Sequence, residues 1–450
     1  MATTRLKRTP SSTGTRTKFT YSAWIKRGSL AYAPLMSAWS ANTDAGYLSL
    51  RFPSSGELDC TGWQTAWFNT NRKFRDINGY FHIVLSVDST LATAGDRMKL
   101  YVNGVQETSF TSKNNPSQNQ EFPFSHSGTP HFIGVQFYAG STYSHYYDGL
   151  MSHVHFIDGT AYDASAFGSI DNVTGEWSIN TSPSVTYGTN GFFILKDGNS
   201  VTDQSGQSNN LTVGGGTLTK TEDNPSNVFA TLSPNILPRN SGETISNGNL
   251  FFGTSAAIWN TESSAFGIAS GKYYFEVKLK DNGTDRRFRW GLQKNAEITK
   301  TGENKVLGGA DNNAIGYATG GESATQGIYF INQTSTTMSD GDINENNAIY
   351  GFAIDLDNQR MYGHFNGAWF HSGNPSAGSG GIDVSSFYTV GEPLFPSFTV
   401  HNSNIEINFG NGYFGTTAVS SAGTNASGNG IFEYDVPSGF TALSTKGLNL

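Results

Sequence analysis

The sequence predicts an all-β fold, and its composition is the first indication. Of the 450 residues, 53 are glycine, 13 % are aromatic and only 14 % are charged. Strands joined by Gly, Asn and Ser turns have such a composition, because charged surface helices would raise the charged fraction towards about one quarter. A chain of this length has room for roughly two or three domains with ordinary cores.

Alternation of apolar and polar residues predicts the strands of a first domain at residues 19–168. Residues 80–88 place four apolar side chains on one face: Phe81, Ile83, Leu85 and Val87. A period of two marks a sheet with one buried side. The dipeptide Asn103-Gly104 can adopt the positive φ angles of a tight turn, so a hairpin is expected there.

A second set of strands predicts another β domain at residues 242–415. Residues 270–278 and 350–357 both alternate between apolar and polar side chains. A return strand after the second of these reaches another Asn-Gly turn at residues 366–367. Both domains therefore use the same hairpin chemistry.

Composition defines three further segments. Residues 1–18 form a basic arm, 169–241 a connector, and 416–450 a loop and tail that are rich in Gly, Ser and Asn. The connector contains the apolar run 192–195, which needs a place to bury, so we expect its strands to complete the first domain. The part of the tail at 416–430 is expected to be a flexible loop.

Charge is distributed unevenly along the chain, whose formal net charge is −8. Residues 1–27 contain no acidic residue, and the basic residues of the arm are Arg5, Lys7, Arg8, Arg16 and Lys18. A basic arm on an acidic body favours docking onto an acidic partner surface, with a solvated, frayed terminus as the alternative. Nucleic acid is not expected as a partner, because the acidic remainder of the chain repels phosphate.

The sequence has no feature of a secreted or membrane-inserted protein. Cys60 is the single cysteine, so no intrachain disulfide framework is expected and its thiol is predicted to lie in a core. No apolar run approaches the roughly 18 residues that span a bilayer. The start lacks the apolar segment of a signal peptide, which predicts a soluble protein made in a cytoplasm.

No catalytic constellation is evident, and we expect that the protein is not an enzyme. Glycoside hydrolysis requires two carboxylates about 5–9.5 Å apart. Glu57 and Asp59 come nearest to such a pair on a predicted strand, but we expect both at a solvated strand edge.

Metal ligands are not expected either. His153 and His155 alternate on a predicted strand, a spacing that allows two ligands, but a hydrated strand face is favoured. Asp197, Asp203 and Asn209 lie in a polar turn whose oxygen atoms suit Ca²⁺. We expect no cofactor, with Ca²⁺ at this turn as the alternative.

Aromatic residues in polar loops are the candidates for sugar contact, because the C–H faces of sugars stack on rings while amides and carboxylates bond their hydroxyls. The candidate glycan-binding residues are Trp63, Tyr138, Tyr143, Tyr146 and Tyr147. The alternative is that these rings pack a core or a subunit interface. For Trp67 and Phe68, in the same stretch as Trp63, packing in the core is favoured.

Several motifs of the first domain occur in the order found in a known family. Residues 95–104 (GDRMKLYVNG) and 148–159 (DGL…FIDG) resemble a laminin-G/pentraxin-type lectin fold. Residues 69–76 (NTNRKFRD) and 187–191 (YGTNG), with the connector, resemble bacteriophage virion proteins in which such a domain precedes a second β module. The resemblance covers residues 17–235.

The second domain resembles a SPRY domain, a bent β-sandwich that binds partners. The motifs in order are GKYYFEV at 271–277, IDLDNQRMYGHFNG at 354–367, PLFPSF at 393–398 and IEINFG at 405–410. The two resemblances together imply two concanavalin-type antiparallel β-sandwiches in tandem, one laminin-G-like and one SPRY-like.

These resemblances imply a structural protein of a phage virion surface, in a tail fibre or a capsid-attached appendage, with lectin-like recognition of a host-surface glycan. Its partners would be other capsid or tail proteins, with the basic arm as the docking element, and a homo-oligomer is expected. Multiple copies would supply avidity. The alternatives are a purely structural capsid decoration protein without glycan binding and a glycan depolymerase that assembles a carboxylate pair from distant strands.

Overall fold

The chain forms two compact units, Met1–Lys220 (unit 1) and Thr221–Leu450 (unit 2). The computed structural model describes residues 3–139, 142–196, 198, 200–233, 242–255, 257–280, 287–298, 305–309, 313–319, 327–340 and 343–449. The boundary between the units lies earlier than the 241/242 boundary placed from the sequence. One reason is that Phe229 already forms a β-bridge with Ser444 of unit 2.

The strands of unit 1, in chain order, are β1 Leu6–Arg8, β2 Lys18–Arg27, β3 Ala33–Trp39, β4 Tyr47–Phe52, β5 Asp59–Gly62, β6 Ala66–Thr70, β7 Phe81–Asp88, β8 Met98–Val102, β9 Val105–Gln106, β10 Phe110–Lys113, β11 His131–Ile133, β12 Val135–Tyr138, β13 Thr142–Tyr146, β14 Gly149–Asp158, β15 Gly168–Ile170, β16 Trp177–Ile179, β17 Phe192–Ile194 and β18 Thr212–Val213. Two 3₁₀ turns, Ala94–Asp96 and Ala164–Ala166, join them in the described part of this unit.

Unit 1 is a sandwich of two antiparallel sheets. The front sheet has the strand order β10-β6-β5-β4-β3-β11-β1-β18, and the back sheet has the order β17-β14-β2-β7-β8-β9. The short hairpins β12-β13 and β15-β16 are separate from both sheets. Non-consecutive neighbours in both sheets show that the chain crosses between the two layers, as expected of a sandwich.

Alternate residues of the facing strands fill the space between the two sheets. Leu48 and Leu50 of β4 and Ile83 and Leu85 of β7 are fully buried in this core. Each such side chain contributes about 1.5–3 kcal/mol through removal of apolar surface from water. The thiol of Cys60 lies in the same core, which confirms the sequence prediction.

The N-terminal arm and the first part of the connector both contribute strands to unit 1. β1 lies between β11 and β18, with Leu6 opposite Ile133 on one side and Val213 on the other. Because Leu6 is buried in the core, the arm is part of the front sheet rather than a free extension. β17 pairs with β14, so the connector supplies an edge strand of the back sheet.

Residues 162–193 cover the outer face of the back sheet. Phe167, Tyr187 and Phe193 form a small apolar cluster there with Val84 of β7. Trp177 donates a hydrogen bond from Nε1 to Nδ1 of His82, at 3.0 Å. The back sheet is therefore covered on both faces, and buried polar side chains such as Ser22 and His82 bond each other on the outer one.

The expectation that His153 and His155 lie on a hydrated strand face is wrong. Both side chains are buried, and the ring of His155 stacks on Phe193 with 4.0 Å between centroids. Burial holds the pKa of His155 well below its usual range. The covering segment, which the sequence pattern of the strand alone does not reveal, removes this face from water.

The strands of unit 2 are β19 Glu243–Ser246, β20 Phe251–Thr254, β21 Trp259–Ser263, β22 Lys272–Lys280, β23 Arg287–Lys294, β24 Ala314–Ala318, β25 Ile328–Asn332, β26 Thr334–Thr337, β27 Ile349–Asp355, β28 Arg360–Phe365, β29 Ala368–Trp369, β30 Ile382–Asp383, β31 Leu394–His401, β32 Asn404–Asn408, β33 Tyr413–Phe414, β34 Thr417–Ala418 and β35 Thr441–Ala442. Its short helices in the described segments are α1 Asn295–Ile298 and the 3₁₀ turns Phe370–Ser372, Pro375–Ala377 and Gly447–Asn449.

Unit 2 is a second sandwich. Its wide sheet has the order β19-β20-β32-β22-β27-β28-β29, with β30 paired to β28 and β35 to β22, and its narrow sheet has the order β21-β31-β23-β24-β25-β26. Trp290, Phe275, Phe352 and Phe398 are buried between the two sheets. Two antiparallel sandwiches in tandem confirm the predicted all-β class.

The C-terminal segment packs on the outer face of the wide sheet. Phe432, Val436 and Phe440 form a buried cluster with Tyr274 and Tyr362, outside the main core of unit 2. β35 then pairs in parallel with the start of β22. The sequence predicts a flexible loop at residues 416–430. The segment that follows it closes the outer face of the wide sheet.

Glu276 of β22 holds the C-terminal segment in place through its buried carboxylate. The backbone N–H groups of Glu433 and Tyr434 donate to its oxygens at 2.9 and 2.8 Å. The hydroxyl of Tyr274 donates at 3.0 Å and the amide of Asn408 at 3.4 Å. Burial raises the pKa of Glu276 to about 7, although these four hydrogen bonds oppose the rise.

The ionisation of Glu276 is expected to make unit 2 less stable as the pH rises. The folded state keeps the proton between the ordinary pKa of 4.5 and about 7, a range in which the unfolded chain releases it. The substitution Glu276→Gln removes this titration. As the pH rises across this range, the unfolding free energy of the variant should therefore increase relative to that of the natural protein, by up to about 3 kcal/mol. The difference between the two melting temperatures should grow in the same direction.

Thermal unfolding of the full chain between pH 4.5 and 8 checks this expectation. Glu392→Gln, which removes a half-buried carboxylate paired with Lys294 in the same unit, is the control for loss of one charge. A difference between natural protein and Glu276→Gln that is constant with pH would contradict the raised pKa.

Candidate functional site

The outer face of the front sheet is the candidate site. Leu48, Leu50 and Phe52 of β4 face the core, so the alternate residues Tyr47 and Arg51 face outwards. The outer face of the back sheet is covered by residues 162–193, whereas the outer face of the front sheet carries the short hairpin β12-β13. Two exposed aromatic rings of unit 1, those of Trp63 and Tyr143, lie at this face.

The hairpin β12-β13 lies on the outer face, fixed to β3 by Ser37. The Ser37 hydroxyl donates to the carbonyl oxygen of Val135 at 2.8 Å and accepts from the N–H of Phe137 at 3.1 Å. A single buried serine thus replaces the hydrogen bonds that a paired strand would provide.

Gln136 connects the hairpin to two tyrosines of the front sheet. The hydroxyl of Tyr32 donates to its Oε1 at 2.9 Å, and its Nε2 donates to the hydroxyl of Tyr47 at 2.9 Å. Burial raises the pKa of both tyrosines, so both hydroxyls stay protonated at neutral pH. The amide oxygen and nitrogen of Gln136 are thus both engaged.

An aromatic row runs across this face, defined as Trp63, Tyr47, Trp39, Phe137 and Tyr143. The ring of Trp63 meets that of Tyr47 edge to face at 6.3 Å, and Tyr47 pairs in register with Trp39 on the neighbouring strand. Trp39 meets Phe137 at 6.4 Å, and Phe137 meets Tyr143 at 5.0 Å. The two ends of the row are its exposed members.

Trp63, at one end of the row, is positioned by the carboxylate of Asp44. The N–H groups of Gln64 and Thr65 donate to Asp44 Oδ1 at 2.8 and 3.1 Å, and the Thr65 hydroxyl donates to Oδ2. Trp63 is 38 % exposed. The turn is therefore held while the indole ring remains accessible.

Tyr143, at the other end of the row, is 36 % exposed. Its ring packs edge to face on Phe132 at 5.5 Å. The guanidinium carbon of Arg5 lies 4.1 Å from the centre of the ring. The structure thus brings together one predicted glycan-binding residue and one predicted docking residue.

The other three predicted glycan-binding residues are less accessible. Tyr138 and Tyr146 are half-buried in the hairpin, and Tyr146 packs against the cluster that contains Phe132 and Phe137. The hydroxyl of Tyr147 donates to the carbonyl oxygen of Lys26 at 2.8 Å, and burial raises its pKa. Tyr147 is therefore a packing residue of unit 1.

Arg8, Arg16 and Lys18 of the predicted basic arm all bond within unit 1. Arg8 donates to the side-chain oxygens of Asn190 and Asn209. Arg16 donates to the carbonyl oxygen of Ala45 at 2.7 Å and pairs with Glu121, while Lys18 pairs with Asp88 at 3.1 Å. Lys7 extends over Phe132, with 6.0 Å from its Nζ to the ring centre.

Asp59 lies on the outer face rather than at a solvated edge, so that expectation is wrong for this residue. It is opposite Arg51 on β4 and Asn69 on β6, and Arg51 Nε lies 2.7 Å from its carboxylate. Burial raises the pKa of Asp59, while Arg51 opposes the rise. Glu57 is paired instead with Lys73, at 3.0 Å.

The polar turn proposed for Ca²⁺ is organised by hydrogen bonds. Asp203 accepts from the N–H groups of Phe193, Ser205 and Asn209 and from the Ser205 hydroxyl. The Asn209 amide donates to the carbonyl oxygens of Thr189 and Gly191. Asp197 lies outside the described residues. Within those described, no cluster of three or more His, Cys, Asp or Glu side chains could hold a metal ion.

Sequence reasoning missed several residues that form this site. Tyr32, Gln136 and Asp44 were not among the predicted site residues, although they anchor the hairpin and the Trp63 turn. No local pattern distinguishes them, because their partners lie on other strands. Trp67 and Phe68 are buried, at 4 % and 1 % exposure, which confirms that they pack in the core.

Part of unit 1 is similar to a known superfamily. Residues 3–167 match the concanavalin A-like lectin/glucanases superfamily, in a laminin G family. No curated protein matches the chain. In the part of the chain that the structure describes, no helix has the length and hydropathy needed to span a membrane.

Solved structures of low identity were also found. A TRIM65 PSpry domain is 12 % identical, with a TM-score of 0.27, and covers 40 % of this chain and 91 % of its own. A heptameric SAP-like pentraxin from Limulus polyphemus is 15 % identical, with a TM-score of 0.31, covering 48 % and 91 %. The SPRY domain of human HERC1 is 10 % identical, with a TM-score of 0.28, covering 39 % and 96 %.

The substitution Gln136→Leu should destabilise unit 1 by about 2 kcal/mol. It leaves the hydroxyls of Tyr32 and Tyr47 without the partner that each has now, and an unsatisfied buried polar group costs about 1–3 kcal/mol. Combining it with Tyr32→Phe and Tyr47→Phe should recover most of the loss, because no polar atom is then stranded.

Urea unfolding of the full chain measures the effect on stability. The exposed Gln64→Leu serves as the control and should change the unfolding free energy by less than about 0.5 kcal/mol. If Gln136→Leu unfolds like the natural protein, the amide does not hold the hairpin on the sheet.

Proposed function

We propose that this protein is a carbohydrate-binding component of a bacteriophage virion surface, in a tail fibre or a capsid-attached appendage. In this proposal unit 1 recognises a host-surface glycan through the aromatic row. The observation that carries it is the row itself, which ends in two exposed rings, Trp63 and Tyr143, on a concanavalin-type domain.

The two exposed ends of the row are the stacking positions in this proposal, because Tyr47 and Phe137 between them are buried. Sugar rings stack on aromatic side chains through their C–H faces, and their hydroxyls require polar neighbours. Within the row, Trp39 donates a hydrogen bond from Nε1 to the side-chain oxygen of Asn42. At the Trp63 end, the carboxylate of Asp44 accepts hydrogen bonds from the turn that contains Trp63. Both exposed rings are anchored, so little side-chain entropy is lost when a ligand binds.

Binding without catalysis is part of the proposal. Asp59, the buried carboxylate of this face, is paired with Arg51 at 2.7 Å, and Asp44 accepts hydrogen bonds from the turn that it supports. Glycoside hydrolysis needs two carboxyl groups aimed at one glycosidic bond. Incubation with host polysaccharide should therefore release no reducing ends, and their appearance would favour a depolymerase.

The virion location rests on the sequence pattern. Residues 69–76 and 187–191 resemble phage virion proteins, and the second domain resembles modules that bind partners. We assign particle anchoring to unit 2, because Arg8, Arg16 and Lys18 of the arm bond within unit 1. Many copies on one particle would convert weak single contacts into avidity.

Trp63→Ala and Tyr143→Ala should each weaken glycan binding by about tenfold or more, which equals about 1.4 kcal/mol. Because each ring also packs on its neighbours, melting curves establish that each variant is folded at the temperature of the binding measurement. A glycan array identifies the ligand, and titration of the best ligand measures the change.

Leu91→Ala is the matched control, since Leu91 is 39 % exposed in the same unit but lies outside the aromatic row. It should leave glycan affinity unchanged. Equal affinities of all three variants for the array ligand would show that the row is not the binding surface.

Immunogold labelling of purified virions with antibody against unit 1 tests the location. Gold on tails or protruding fibres is the expected result. Gold spread evenly over heads, in a protein without glycan affinity, would favour the purely structural decoration alternative. Unlabelled virions with free protein in the lysate would contradict a virion role.

A further inference from the structure

Two cations project from the front sheet beside Tyr143. Arg5 and Lys7 are two residues apart on the extended segment that contains β1, so their side chains leave the same face, roughly 7 Å apart along the strand. Leu6 between them points into the core and is buried. The two charges therefore lie on the outer face, at the Tyr143 end of the aromatic row.

Arg5 is held in place on both sides. Its guanidinium lies 4.1 Å from the centre of the Tyr143 ring and donates a hydrogen bond to the carbonyl oxygen of Thr3. On its other side is Gly215, whose backbone lies close to the guanidinium. The positive φ of Gly215 favours glycine at this position, and the guanidinium is held between the Tyr143 ring and the Gly215 backbone.

Neither cation is neutralised within the described part of the chain. Arg16 forms an ion pair with Glu121, and Lys18 forms one with Asp88. Among the described residues, Arg5 and Lys7 form no such ion pair. Yet the chain as a whole carries a net charge of −8. Arg5 and Lys7 therefore create a local positive potential beside the Tyr143 ring, although the net charge of the chain is negative. This local potential attracts anions.

We propose that the Tyr143 end of the aromatic row is a subsite for an acidic sugar, one that carries a carboxylate or a sulfate. The anion lies against Arg5 and Lys7 while the sugar ring contacts Tyr143. This inference rests on the proposed glycan-binding function and specifies its ligand class. Guanidinium groups suit this task, because their planar N–H donors match the two oxygens of a carboxylate.

The test uses one polymer in two forms, a uronic-acid polysaccharide such as polygalacturonate and the same polysaccharide with its carboxyl groups reduced to alcohols. The full-length protein should bind the acidic form about tenfold or more tightly than the reduced form. Raising the salt concentration from 0.05 to about 0.5 M should reduce this preference through screening.

The double variant Arg5→Gln/Lys7→Gln should bind both forms equally, while Arg5→Lys should keep part of the preference. The charge-matched control is Arg75→Gln/Lys113→Gln, since both residues are exposed and Lys113 lies on β10, at the opposite edge of the front sheet from β1. The control should retain the full preference, and melting curves verify that each variant is folded.

The outcomes separate this inference from the function on which it rests. Equal binding of both forms by the natural protein, or equal loss in the control variant, would overturn the acidic subsite and leave glycan binding intact. Binding of neither form, nor of any array glycan, would overturn the proposed function itself. If Arg5→Gln/Lys7→Gln loses attachment to virions but keeps its uronate preference, the two cations dock onto a protein surface and the subsite is refuted.

Discussion

Every strand in a sandwich has two faces, and only one of them can point into the core between the sheets. The remaining faces must be polar, or must be covered by another part of the chain. In unit 1, residues 162–193 cover the back sheet with aromatic side chains. In unit 2, the C-terminal segment covers the wide sheet, fixed by the buried carboxylate of Glu276. The front sheet keeps two exposed rings, Trp63 and Tyr143, at the ends of the aromatic row, which is why the candidate site lies there.

The accessible face is built from polar anchors beneath exposed rings. Asp44 ties the Trp63 turn, Gln136 ties the hairpin, and Ser37 replaces strand hydrogen bonds under it. Each anchor is a buried or half-buried group whose hydrogen bonds are strong because water is excluded. A binding surface assembled this way holds its exposed rings in place, so less ordering is required when a ligand binds.

Charge reinforces the same design. The arm that resembles a free, basic extension is a strand of the front sheet, and its arginines are distributed between interior and surface. Arg8 is directed towards Asn190 and Asn209, and burial lowers its pKa. Arg5 points outwards, to the face with Tyr143. Successive residues of a strand point to opposite faces. Arg8 therefore has a structural role inside unit 1, and Arg5 lies on the surface.

The sequence by itself determined the class of fold, the main strands and part of the core. The period of two in residues 80–88 and 270–278 is a local property, because it can be counted along a single strand. Tertiary structure alone decided which rings are accessible. Tyr143 and Tyr147 occur in the same polar stretch, yet one ring is exposed and the other hydroxyl bonds inside the unit. Their neighbours come from strands distant in sequence, and periodicity along one strand carries no information about which other strand will lie beside it.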